Sequence, residues 1–247
     1  GAINFRTRTG GEINGFEAGT DVGSFGYLNT YMTMGAKSGA FEYALFASEV
    51  RGDGHLDWNS FDTQTVNFLG TFSPSPDDKI TVKFIRNHIG TDLSIRLSLN
   101  QFGLNPFQRG CVTAAQAAAG CGTINVFANG YNGAQRPLTA AQAGLGRDDT
   151  RTVVGTRWEH RIDESTTFQI QYVVDDRDIH QPTGATSAVG DYLSQNVMAN
   201  VTRKYDLLGM PSTHIMGYYY NYLPADGDTI NLMPGGNATL GKLSSNQ

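Results

Sequence analysis

The five histidines, His55, His88, His160, His180 and His214, are the side chains best suited to acid–base or metal chemistry, and no two stand at a ligand spacing such as His-x-x-x-His. Asp53, Asp57 and Asp62 crowd one polar stretch but miss the Asp-x-Asp-x-Asp-Gly register of a calcium loop. Gly144-Leu145-Gly146 is too short a glycine run to cradle a phosphate. Spacing therefore assembles no catalytic set and no metal site, and the expectation is a non-enzyme without a covalently bound cofactor. Binding chemistry is what remains. Between residues 87 and 149 the chain runs far past what joining two elements needs, and connections longer than about 12–15 residues are usually functional or disordered. This stretch carries Phe107, Arg109, Tyr131 and Arg136, rings and cations that can hold an anionic ligand by stacking and charge-assisted hydrogen bonds. Packing of the loop on its neighbours is the competing role for each. Trp58 and His180, in the flanking connections, are further candidate contacts. Cys111 and Cys121 share the same polar loop, either as one local disulfide of an oxidising compartment or as two free thiols.

The elements that position these loops read as strands. Thirty glycines in 247 residues exceed the usual ~7%, and alanine clusters that favour helix are confined to residues 113–120 and 139–144. Alternation is clearest from Thr166 to Asp175, where Phe168, Ile170, Tyr172 and Val174 take one face and Gln169, Gln171 and Asp175 the other. The same template fits Leu28, Met32 and Met34, then Phe41, Tyr43, Leu45 and Ala47, and then Val66, Phe68 and Phe72. It recurs in Ile80, Val82 and Phe84, in Val154 and Trp158, and in Val197, Ala199 and Val201. Tyr218, Tyr219, Tyr220 and Tyr222 make a last strand aromatic on both faces, and a first strand falls near residues 12–20. No run of 18 apolar residues exists, which excludes a membrane helix, whereas a membrane strand needs only about 9–11 residues with alternate apolar positions. The mean hydropathy of −0.31 is compatible with such strands. A net charge of −5 with scattered arginines offers no footprint for nucleic acid.

Connection lengths carry as much information as the strands. Short links are expected at residues 37–39, 73–79, 163–166 and 206–212, and long ones at 51–60, 87–149, 177–195 and from 225 onward; only 21–26 is short where a long link is due. Up-and-down outer-membrane barrels sort their links this way, with short turns on one side and long loops on the other. A soluble β-sandwich is the alternative; it would bury the alternate positions against a second sheet and mix its turn lengths. The expected count is about nine strands, which as an open sheet in lipid would leave unpaired edges. More strands are therefore expected beyond Gln247, and any export signal before Gly1.

Gly1 to Gly10, reading Gly-Ala-Ile-Asn-Phe-Arg-Thr-Arg-Thr-Gly, resembles the junction between plug and barrel in the TonB-dependent outer-membrane receptors, whose last plug strand ends in a basic tail before the first barrel strand. Arg157-Trp158-Glu159-His160 leading into Asp163-Glu164-Ser165-Thr166-Thr167 is similar to segments of the siderophore receptors of that family. So are Asn105-Pro106-Phe107-Gln108-Arg109-Gly110-Cys111 and Asp175-Asp176-Arg177 with Gln181-Pro182-Thr183-Gly184. The resemblance implies an all-β chain, a transmembrane antiparallel β-barrel represented by about nine of 22 strands. It divides the chain into the end of a plug domain at 1–10 and an incomplete barrel domain at 11–247. It implies import of a ferric siderophore or related iron chelate across the Gram-negative outer membrane, with lipid around the barrel and a TonB complex as partner through the missing N-terminal region. Cobalamin, haem or an oligosaccharide as cargo, or a passive porin or adhesive barrel, are the alternatives.

Overall fold

The computed structural model describes residues 6–107 and 122–246. In chain order these form α1 (Gly10–Ile13), β1 (Gly15–Val22), β2 (Leu28–Ser38), β3 (Phe41–Gly52), β4 (Phe61–Phe72), β5 (Asp78–Asp92), α2 (Leu99–Leu104), β6 (Ile124–Phe127), β7 (Gln135–Leu138), α3 (Ala140–Ala143) and β8 (Gly146–Arg161). There follow β9 (Thr166–Pro182), β10 (Thr186–Leu207), β11 (Met210–Tyr222), β12 (Ala225–Met233) and β13 (Gly236–Asn246). The nine expected strands are β1–β5 and β8–β11, paired antiparallel in chain order in one sheet, while β6 and β7 form a separate hairpin inside the β5–β8 connection.

Register turns the alternation of single strands into two continuous surfaces. Phe72, Ile80, Trp158, Ile170, Ala199 and Tyr218 stand opposite one another across β4, β5, β8, β9, β10 and β11. Leu45, Phe68, Phe84, Val154 and Val174 form another row on that face, four residues further along. The opposite face carries Lys37, Glu42, Thr71, Thr81, Arg157 and Gln171 in a row of its own. A slip of one residue in any pairing would exchange the faces, so the two-residue period fixes the register. The apolar face is uncovered: Val154 is 46% exposed and Trp158 40%. No second sheet lies on it among the described residues, which removes the sandwich reading. At its short-turn end Phe41 stacks on Phe72 at 4.5 Å and Trp158 meets Phe168 edge-on at 5.7 Å, an aromatic border of the sort that sits at a membrane interface.

Over β2, β3 and β5 the polar face meets the leading segment. Lys83 Nζ donates to Thr7 Oγ1 at 2.7 Å, and Gly11 N–H donates to a Glu42 carboxylate oxygen at 2.7 Å. Gly10 passes so close to the carbonyls of Ala36 and Tyr43 that a Cβ there would meet the Tyr43 oxygen at 2.1 Å; only glycine fits. Arg8 is bidentate to Glu17 and Arg6 to Glu12, pinning the segment to β1 and to itself.

Three connections depart from expectation. The link expected at residues 177–195 shrinks to 183–185, because β9 and β10 continue paired from Asp175 opposite Ser194 to Pro182 opposite Ser187. Above the apolar band both faces meet water, so pairing persists while hydrophobic alternation, the sequence signal, fades. The long loop expected from residue 225 is instead β12, paired to β10. Tyr222 faces Gln195 and Ala225 faces Tyr192, so β12 continues β11 in unbroken register past Pro224, which has no N–H to donate. The central long loop narrows to residues 93–145.

Candidate ligand-binding site in the outer loops

The long loops meet at one end of the sheet and fold into a unit with its own core. Val126, Leu138, Ala140, Ala143, Leu145 and Leu232 are buried together, with Trp58, Leu93, Ile95 and Ile124 packed against them. Local sequence explains the pieces. Ser98 and Gln101 form a capping box that starts α2, and Thr139 and Gln142 form another that starts α3. Gly144 closes α3 in the left-handed conformation (φ 63°). Asn129 Oδ1 accepts from the Tyr131 and Asn132 amides and so builds the β6–β7 turn. β12 locks on by Leu232, by Leu232 N–H to the Ala185 carbonyl (2.9 Å) and by Gly235 N–H to the Gln142 carbonyl (2.9 Å).

The candidate contacts are distributed over this unit. Tyr131 sits at the β6–β7 turn, 56% exposed, its carbonyl accepting from Asn231 Nδ2 at 3.3 Å. Arg136, on β7, is exposed and lines a cavity of about 520 Å³ with Gln135, Pro137, Leu138, Gln142 and Pro234. Phe107 follows α2 with its ring 54% exposed, while its carbonyl takes the Asp57 amide and so ties two loops together. Trp58 adopts a left-handed backbone (φ 58°), points its ring at the loop core and donates its indole N–H to the Leu145 carbonyl at 2.8 Å; packing is its observed role. His180 is elsewhere, on the outward face of β9, where it lines a cavity of about 370 Å³ with Asp62, His88, Arg147 and Asp148. Arg109, Cys111 and Cys121 lie outside the described residues.

Sequence reasoning missed the residues that hold the unit together. Leu232 lies in a stretch read as loop, and Asn231 joins it as a buried polar anchor. Asp149 is 8% exposed and accepts from Arg147 (2.6 Å), Gln181 (2.7 Å) and the His180 amide (3.3 Å), joining β8 to β9 at the rim. The spacing Arg147-x-Asp149 alone carries too little information to announce it. Among the described residues no three His, Cys, Asp or Glu groups are placed to hold a metal ion. The arrangement offers rings and a guanidinium on a rigid frame, which suits reversible binding of a solute.

No family model and no curated protein matches the chain. Solved structures do. The unliganded ferric citrate transporter FecA superposes with a TM-score of 0.59 at 14% identity, over 93% of this chain and 31% of that one. FpvA in its complex with pyocin S2 gives 0.64 at 12% identity, over 94% of this chain and 33% of that one. The RagAB peptide transporter gives 0.53 at 13%, over 82% and 25%. The chain thus spans about a third or less of the proteins it matches, and over that span it has the antiparallel barrel fold of the TonB-dependent outer-membrane receptors.

Proposed function

We propose that this chain is part of an outer-membrane receptor that imports a scarce solute, with a ferric siderophore or related iron chelate as cargo and a TonB complex as its energy source. The carrying observation is two-sidedness: an uncovered apolar band on one face and, on the other, a polar wall occupied by the segment from Arg6 to Ile13. A passive porin keeps its polar wall open to water, whereas a wall already engaged by the chain that enters it suits an occluded barrel that needs energy to open. FecA is a ferric citrate transporter and FpvA is found with pyoverdine and iron, which supports an iron chelate. RagAB, a peptide transporter of related fold, keeps another cargo in view, alongside cobalamin, haem and oligosaccharide. On this reading the outward-facing loops 53–60 and 93–145 receive the cargo, with Phe107, Arg109, Tyr131 and Arg136 as contacts, lipid surrounds the band and no bond of the cargo is broken.

The test is uptake of radioiron chelates by iron-starved cells expressing the full-length protein, with and without an intact TonB complex. Uptake that requires both is expected. Ion conductance by the purified full-length protein in planar bilayers, without TonB, would replace this reading with that of a passive pore.

A further inference from the structure

The sheet is not uniformly zipped. Along β10 and β11 the cross-strand partners are bulky: Val197 faces Tyr220, Ala199 faces Tyr218 and Val201 faces Met216. Past Pro224 the partners of β10 change character. Gly190 faces Gly227, Ala188 faces Thr229 and Asp191 faces Asp226. Asp191 also faces Asp178 on its other side, so three exposed carboxylates stand in one line across β9, β10 and β12. Like charges directly opposite one another destabilise pairing. The described residues next to this line on the same face are Thr150 across β8, Asp176 and His180 on β9, Val189 and Leu193 on β10, and Pro224 and Asp228 on β12. None is a lysine or arginine. At the glycine pair the two backbones nearly touch, since a Cβ on Gly190 would lie 2.6 Å from the Gly227 Cα, and the only side chain reaching Gly227 from β10 is Tyr192, whose hydroxyl lies where a Gly227 Cβ would be. The far end of β12, by contrast, buries the Leu232 side chain in the loop core, while Leu232 N–H extends the β10–β12 ladder to the Ala185 carbonyl.

We propose that the β10–β12 pairing is a charge-sensitive seam in the barrel wall: it loosens at low ionic strength and tightens as cations screen the opposed Asp191 and Asp226, with Asp178 deepening the negative potential on the β10 side. Pro224 marks the pivot, because the strand loses a ladder hydrogen bond there without losing register. The inference rests on pairing geometry alone and is independent of what the barrel carries.

Hydrogen exchange of the full-length protein in lipid nanodiscs, read over residues 186–192 and 225–231 at low and high sodium chloride, tests it. Exchange over these segments should slow with salt, while residues 197–201 and 216–220 serve as an internal reference and stay constant. Asp191→Asn relieves the one opposed pair that spans the seam and should slow exchange at low salt by roughly 1.5- to 5-fold. Asp226→Asn relieves the same pair and should do as much, while Asp178→Asn, whose pair lies between β9 and β10, should change exchange less than either. Salt-independent exchange at the seam, equal effects at the reference segment, or an Asp191→Asn variant identical to wild type would each overturn the proposal.

Discussion

Leu232→Ala decides whether the outer loops are a folded unit or a set of tethers. Leu232 is fully buried and comes from β12, distant in sequence from the β6–β7 hairpin and α3 that surround it. Leu→Ala in a packed core costs about 2–5 kcal/mol, the spread reflecting how far the surroundings collapse into the space. Here two of the neighbours are Ala140 and Ala143, whose methyl groups cannot fill the gap unless α3 moves as a whole. The upper half of the range, about 3.5–5 kcal/mol, is therefore expected. At about 1.4 kcal/mol per factor of ten, amide exchange governed by local opening should accelerate at least ~10²-fold over residues 124–145. The barrel strands β2–β5 and β8–β10 should keep their protection. The assay is hydrogen exchange with mass spectrometry on the lipid-embedded full-length protein, with Leu99→Ala, at an 85% exposed position, as a control expected to change stability by less than ~0.5 kcal/mol. Unchanged protection of residues 124–145 in Leu232→Ala would refute the loop core, and loss of protection across the whole sheet would refute its separateness. If the loops carry the cargo site, cargo affinity should fall by the fraction of time the unit is unformed.

The sidedness of the sheet makes a paired prediction. Val154→Arg, midway up the uncovered apolar face, should cost about 2–4 kcal/mol of stability in lipid, whereas Gln171→Arg, facing the polar wall, should stay within ~1 kcal/mol; denaturant titration in lipid vesicles separates them. Glu12 is held down to a pKa of about 2 from its ordinary 4.5, first by the Arg6 hydrogen bond and then by the Thr9 amide. A depressed carboxylate stabilises the folded form in full above its unfolded value, and that contribution is lost as pH falls through the folded one. The turn from Arg6 to Glu12 should thus hold at pH 5 and loosen as pH approaches about 2, with Arg6→Gln moving the loosening upward; a Glu12 carboxyl resonance titrating near 4.5 in the wild type would contradict it. Cys111 and Cys121, expected as a bridge, should resist alkylation in the exported protein until reductant is added, and labelling without reductant would show two thiols.

The strands were legible where the chain meets two different solvents. Phe168, Ile170, Tyr172 and Val174 alternate with Gln169 and Gln171 because one face of the sheet is an apolar band and the other a polar wall. Past Val174 the run Asp175-Asp176-Arg177-Asp178 continues the same strand with water on both sides, and the pattern that marks a strand disappears although its ladder does not. Pro224 hid β12 in a similar way, since a proline after a tyrosine-rich strand reads as its end. The loop core was illegible for another reason. Val126, Leu138 and Leu232 come from segments far apart in sequence, and no local period announces that they meet. Of the binding candidates, Arg136 and His180 line cavities, Tyr131 and Phe107 present exposed rings, and Trp58 serves packing, a distinction that spacing alone cannot make.

Where the apolar side chains are buried shows which solvent each part was built for. In the sheet, the large apolar residues are the exposed ones, Val154, Trp158 and Ile170 among them, while its buried positions include Thr33 and Ala44. A sheet arranged this way in water would leave its principal driving force unspent, and it is stable only if acyl chains cover the band. The outer loops follow the opposite rule, with Leu232, Val126 and Ala140 inside and Leu99, Phe107 and Tyr131 outside, as expected of a small domain in water. One chain therefore holds two stability problems that share little apolar contact, joined through Trp58 below the core and through β12 beside it. Because hydrophobic burial in one does not depend on the other, the loops can loosen or diversify while the barrel stands.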